Sequence, residues 1–205
     1  MQNIQVLLND WCFSKKALCV LWAKWYLIDM KTVVLLIGSN DSGKTETLKT
    51  FFRVIPGETV KPMQFLARKL SRKDVLCIGL SSPQELCNFC RSDEIKRNIE
   101  QRINICEKET KGKEYFLIIP FEVYKDANGE LNSKCIIEPL FSLRVKGKVI
   151  LVYLRKGQAE INHSLDMLMT SLSVKNRIGS TMNYEKQAKE LEEILRNEME
   201  EKRKK

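Results

Sequence analysis

Short runs of apolar residues, rich in β-branched and aromatic side chains, recur through the middle of this chain. Thr32–Ile37 (TVVLLI), Asp74–Leu80 (DVLCIGL), Tyr115–Ile119 (YFLII) and Lys148–Leu154 (KVILVYL) are each too short for a core helix. Each lacks the polar alternation of a half-exposed strand, so they read as strands buried on both faces. Pro120-Phe121-Glu122 follows the third run and predicts its end. Between the runs the period changes. Lys44 to Val54 reads as a helix closed by Pro56-Gly57, and Pro83 to about Glu107 as a helix broken near Arg91-Ser92. In the second piece Ile95, Ile99, Ile103 and Cys106 make one apolar stripe. Asn128-Gly129 marks a turn, and Cys135–Leu143 a short helix. Strands alternating with helices predict βαβ units: an α/β three-layer sandwich with a mainly parallel sheet flanked by helices.

The two ends differ from this middle. Trp11–Ile28 is aromatic and apolar but interrupted by Lys15, Lys16 and Lys24, which argues against a spanning helix. It reads as an amphipathic helix on the domain, as a membrane-surface or partner contact, or as sequence upstream of a start at Met30, which directly precedes the first strand. From Asn183 onward, Tyr184, Ala188, Leu191, Leu195 and Met199 recur near heptad spacing among Glu and Lys, which predicts a terminal helix that docks on its own domain or pairs with a partner helix. The expected organisation is therefore an aromatic extension over 1–29, a core over 30–160, and a lid-like segment with an amphipathic helix over 161–205.

Charge and cysteine refine this only slightly. The formal net charge is +9, with 35 Lys and Arg against 26 Asp and Glu. That balance suits polyanions, nucleotides included, yet no RNA-binding or zinc-finger signature accompanies it, so nucleic acid is not indicated. Seven cysteines without a secretory signal predict reduced thiols in a cytoplasm. Cys87 and Cys90 have the spacing of a metal or redox pair but no second pair nearby, and they read as incidental helix residues.

The residues that carry chemistry follow the first strand: Gly38-Ser39-Asn40-Asp41-Ser42-Gly43-Lys44-Thr45, a complete G-x-x-x-x-G-K-[ST]. A curled loop of backbone N–H groups running into a helix N-terminus can hold phosphate. Glycine permits the backbone angles and the close approach such a loop needs. With its strand and helix, the segment resembles the P-loop nucleoside triphosphatase superfamily of Walker A type. The resemblance implies that residues 38–45 bind the phosphates of ATP or GTP. It further implies that Lys44 stabilises the β- and γ-phosphates and that Thr45 holds Mg²⁺.

The chain departs from that family where a Walker B aspartate should end a neighbouring strand. Glu122 is the nearest substitute, as a metal ligand through water or as the group orienting an attacking water. Its alternative is a solvated strand-end carboxylate. Glu85 is a second candidate, and it also completes a capping box with Ser82. No N-K-x-D, as in GTPases, is present. The size and the late strand ending at Arg155 look like small P-loop kinases, whose basic lid would here draw on Arg155, Lys156, Lys175 and Arg177. Two functions are thus expected. One is Mg-dependent binding of a nucleoside triphosphate with γ-phosphate transfer or hydrolysis, Lys44, Glu122 and Arg177 being catalytic and the acceptor a small molecule. The other is a nucleotide-gated regulator of a protein partner with little or no turnover.

Overall fold

The computed structural model describes residues 31–40, 42–86, 92–111, 113–123, 148–155, 159–171, 176–179 and 183–201. The expectations for residues 1–30, Cys87 and Cys90, Asn128-Gly129, the 135–143 helix, Lys156 and Lys175 lie outside the described residues. β1 (Lys31–Ser39) is the central strand and is buried from Thr32 to Ser39. It pairs in parallel with β4 (Tyr115–Val123) on one side, Lys31 opposite Tyr115, and with β5 (Lys148–Leu154) on the other, Thr32 opposite Lys148. Bonded on both edges and covered on both faces, it needs the unbroken apolar run seen in the sequence.

Among the described residues, six strands form one sheet in the order β2-β3-β4-β1-β5-β6, with β2 (Phe65–Leu70), β3 (Lys73–Ile78) and β6 (Asn176–Ile178) completing it. All neighbours run parallel except β2 and β3, an antiparallel hairpin turned at Ser71, whose φ is 57°. β3 stops at Ile78 because Gly79 takes φ +64° and donates its N–H to Gln64 O at 2.7 Å. A Cβ at Gly79 would lie 1.7 Å from Pro62 O, so no other residue fits this turn.

Side chains alternate between two helical layers. Val33, Leu35, Ile37, Leu117, Ile119, Leu151 and Tyr153 pack with Ile95, Ile99, Ile103 and Cys106 of α3 (Ser92–Thr110) and with Leu165 and Met169 of α4 (Ala159–Ser171). Val34, Leu36, Ile118, Val152, Leu154 and Ile178 face Leu48 and Phe51 of α1 (Lys44–Phe52) and Ala188, Leu191 and Leu195 of α5 (Tyr184–Glu201). The short α2 (Pro83–Leu86) sits at the end of β3. The fold is α/β, with helices on both faces of a mostly parallel sheet. No helix among the described residues is long and apolar enough to cross a membrane.

Three differences from the sequence reading have physical causes. β4 runs through Pro120 to Val123 instead of stopping before it. Its pairing with β3 ends at Ile118, so the proline falls where that side no longer bonds. The sheet also continues past residue 160. Residues expected to begin a lid-like segment form α4, which buries Leu165 and Met169, and β6 then pairs with β5. α1 ends at Phe52, short of Val54, because Arg53 turns left-handed with φ 58° and closes the helix with bonds to Lys49 O and Thr50 O.

α5 is tied to α1 by more than apolar contact. Thr47 Oγ1 donates to Gln187 Oε1 at 2.7 Å, both side chains being buried. Arg68 of β2 donates to Phe51 O at 2.9 Å, stacks 4.7 Å from the Phe51 ring centroid, and pairs with Glu192 of α5. Truncating Leu191, fully buried between α5 and the sheet, should therefore be costly. Leu191→Ala is expected to lower unfolding free energy by about 2–5 kcal/mol, read from urea denaturation. A change within about 0.5 kcal/mol would mean that α5 does not dock.

Candidate functional site

The loop from Gly38 to Lys44 joins the carboxyl end of β1 to α1. It lies against β5: a Cβ at Gly38 would stand 2.4 Å from Ser42 Oγ, 2.9 Å from Ser42 Cβ and 3.1 Å from Leu154 O. Only glycine allows the chain to curl this tightly. Ser42 N donates back to Ser39 O at 3.2 Å. Gly43 is the N-cap of α1, left-handed at φ 84° and ψ 16°, and it supplies no side-chain cap. The first-turn N–H groups consequently have no acceptor within the helix. Thr47 N closes the first helical bond onto Gly43 O at 2.9 Å.

Lys44 is buried, and its stem turns back under the loop. Its ammonium donates to Gly38 O at 3.0 Å, Ser39 O at 2.7 Å and Ser42 Oγ at 3.2 Å. These acceptors desolvate the charge without leaving it unmatched. Ser39 and Ser42 are buried, while Asn40 and Thr45 are exposed at the mouth. Asp41 lies outside the described residues. A loop that leads into a helix N-terminus, with a buried cation bonded to its carbonyls, can hold an oxyanion. It also stands at the carboxyl ends of the strands, on the central strand of the sheet, where open α/β sheets bind ligands.

Glu122, near the end of β4, is half-buried beside Lys44. Its carboxyl hydrogen-bonds with those of Glu85 and with Ser82. Glu85 is also the capping-box residue the sequence suggests: Ser82 N donates to Glu85 Oε2 at 2.8 Å and Glu85 N to Ser82 Oγ at 3.3 Å. The capping role therefore also aims a second carboxyl at Glu122. Burial raises Glu122 above its ordinary 4.5, the Lys44 charge draws it down, and the Glu85 carboxyl pushes it up again; the net direction is upward.

Arg177, expected to close over the site, stands in β6 opposite Tyr153. Its guanidinium donates to Thr170 Oγ1 at 3.1 Å and lies 4.0 Å from Asp166 Oδ1. The site also contains residues the sequence reading missed. Gln84 Oε1 accepts from Glu122 N at 3.4 Å, tying α2 to β4. Arg102, fully buried on α3, donates to Ser81 O and to Asn98 Oδ1, both at 2.9 Å, and so braces the turn that presents Glu85. Arg102 could have been found, because it sits on the flank of the Ile95–Ile99–Ile103 stripe, where a charge must have a reason. Gln84 gives no such signal.

A scan against protein-family models finds no match, and neither the curated proteins nor the solved structures yield one.

Two outcomes test this geometry. Gly38→Ala should displace Ser42 or β5 and lower stability by about 1–3 kcal/mol, measured by thermal or urea unfolding; a wild-type midpoint would show a looser loop. Glu122, with its folded pKa raised, contributes stability that is fully present below the ordinary 4.5 and is lost as pH rises through the folded value. Glu122→Gln should flatten that decline and be the more stable protein near neutrality. Urea curves for both proteins between about pH 5 and pH 8 check the sign, and parallel profiles would contradict it.

Proposed function

We propose that this protein binds a nucleoside triphosphate, ATP before GTP, with Mg²⁺, and transfers or hydrolyses the γ-phosphate. The observation that carries the reading is the loop itself. A complete G-x-x-x-x-G-K-[ST] stands between a buried central strand and a helix, and its lysine is turned inward onto Gly38 O and Ser39 O. The backbone of Gly38, Ser39, Asn40, Asp41, Ser42 and Gly43 would surround the phosphates. Lys44 would exchange its carbonyl partners for phosphate oxygens.

The donor set fits a hard cation. Thr45 offers an exposed hydroxyl at the start of α1, and Glu122 offers a carboxyl with a second carboxyl beside it. Thr45, with Glu122 acting through water, would hold Mg²⁺. Bound there, the ion would neutralise charge on the phosphate oxygens. Glu122 is alternatively the group that orients the attacking oxygen, and the Lys44 charge beside it favours its ionised form. Catalysis would be positioning and charge neutralisation rather than covalent chemistry.

A second reading is a nucleotide-gated regulator with little turnover. What favours it is the carboxyl pair: burial and Glu85 hold Glu122 toward its protonated form, where a strong metal-supporting carboxylate would be ionised. ADP release from Mg-ATP, alone and with a panel of small hydroxyl compounds, separates the two. Lys44→Ala is expected to weaken ATP binding by about tenfold to a hundredfold, measured by titration calorimetry with its unfolding midpoint as a control. Equal affinity in the two proteins would end the nucleotide reading. Binding without ADP release would leave the regulator.

A further inference from the structure

β2 is an outer strand of the sheet, and among the described residues no strand pairs with its far edge. The register fixes which of its residues face that edge. Gly79 N donates to Gln64 O, one step before Phe65 pairs with Ile78. In an antiparallel ladder, hydrogen-bonded and non-bonded pairs alternate. Leu66, Arg68 and Leu70 therefore bond to β3, while Phe65, Ala67 and Lys69 turn their N–H and C=O groups outward. The same three residues share one sheet face, and all three are exposed. Backbone edge and side chains are open together.

The two ends of this edge differ in chemistry. At its start, Met63 and Phe65 are 37% and 38% exposed. Beside them Glu58, Thr59, Lys61, Met63 and Gln64 line an open groove of about 590 Å³. Past its other end stand Lys69 and Arg72, both exposed. The cations next to them are matched, Arg68 by Glu192 and Lys73 by Glu114. Asp74 lies opposite Lys69, yet among the described residues neither Lys69 nor Arg72 forms an ion pair. A charge is a common guard on an edge strand, but here it guards one half and leaves the apolar half bare. A second copy pairing at this edge would add two more cations to it, whereas an acidic segment would offset those present.

We propose that the outer edge of β2 is a docking site for an extended acidic segment of a partner protein, which adds a strand to the sheet. Antiparallel to β2, that strand bonds to the backbone of Phe65, Ala67 and Lys69. It sets apolar side chains against Phe65 and Ala67 and a carboxylate opposite Lys69. Its carboxyl-terminal end reaches the groove beside Met63. The proposal does not rest on the nucleotide reading.

The probe is a fluorescein-labelled peptide, Thr-Glu-Thr-Val-Thr-Val-Thr. In the antiparallel register its glutamate falls opposite Lys69 and its valines opposite Ala67 and Phe65. Binding to the full chain is read by fluorescence anisotropy at low ionic strength. Wild type should bind it, and should bind a version with lysine in place of glutamate about fivefold more weakly. Ala67→Pro removes an outward N–H without touching the bonds to β3. It should weaken binding by about tenfold with the unfolding midpoint kept. Lys69→Glu should reverse the preference and bind the lysine peptide better, a result that a folding defect does not give. No binding by wild type, or wild-type affinity in a folded Ala67→Pro, overturns the docking edge. Equal affinity for the two peptides, or an unchanged preference in Lys69→Glu, overturns the acidic partner. Concentration-dependent dimerisation in sedimentation that Ala67→Pro abolishes overturns it in favour of a second copy.

Discussion

The candidate site takes its layout from one strand that has no freedom. β1 is hydrogen-bonded along both edges and covered on both faces, so its register against β4 and β5 fixes where the next residues begin. Gly38 falls opposite Glu122 in that register. Ile37 falls opposite Tyr153, two residues before Arg155. A one-residue slip would put Val34 and Leu36 on the wrong face and separate these groups together. The hydrophobic constraint and the functional geometry are thus one constraint.

Within that frame the chemistry is a contest over one lysine. Lys44 is drawn by the carbonyl oxygens of Gly38 and Ser39 on one side and by the Glu122 carboxyl on the other. Gly38 O, Ser39 O and Ser42 Oγ accept hydrogen bonds from Lys44. Glu122 has a second carboxyl, Glu85, beside it, and burial outweighs the help of the ammonium. An oxyanion arriving at the loop would bring a full negative charge where the carbonyls bring only dipoles, and so would compete strongly for the lysine. The same substitution would leave Glu122 and Glu85 facing a more negative neighbourhood, which a hard cation would relieve.

Most of the frame was legible in the sequence, because buried parallel strands must be apolar throughout. The runs ending at Ile37, Leu80 and Leu154 could hardly be anything else, and the Ile95–Cys106 and Ala188–Leu195 stripes state which helix faces are covered. β2 was not legible. Phe65-Leu66-Ala67-Arg68-Lys69-Leu70 is an edge strand whose inner face includes an arginine, and its burial depends on Phe51 and Glu192, far away in the chain. β6 is only three residues long and carries no pattern of its own. In the site, the loop was readable because its backbone chemistry demands glycines at set positions. The meeting of Arg177 with Asp166 was not, since β6 and α4 must pack before those charges meet.

The buried bond from Thr47 to Gln187 spans 140 residues of chain. Arg68 and Glu192 span 124. During synthesis the loop is therefore among the first parts of the described chain to emerge and the last to be completed. Until α5 has been made, Leu48 and Phe51 lack its wall, and α1 has the sheet and Arg68 but not Gln187 to hold it at its angle to β1. A fragment ending before Tyr184 would carry the whole eight-residue motif and still lack the support that shapes it.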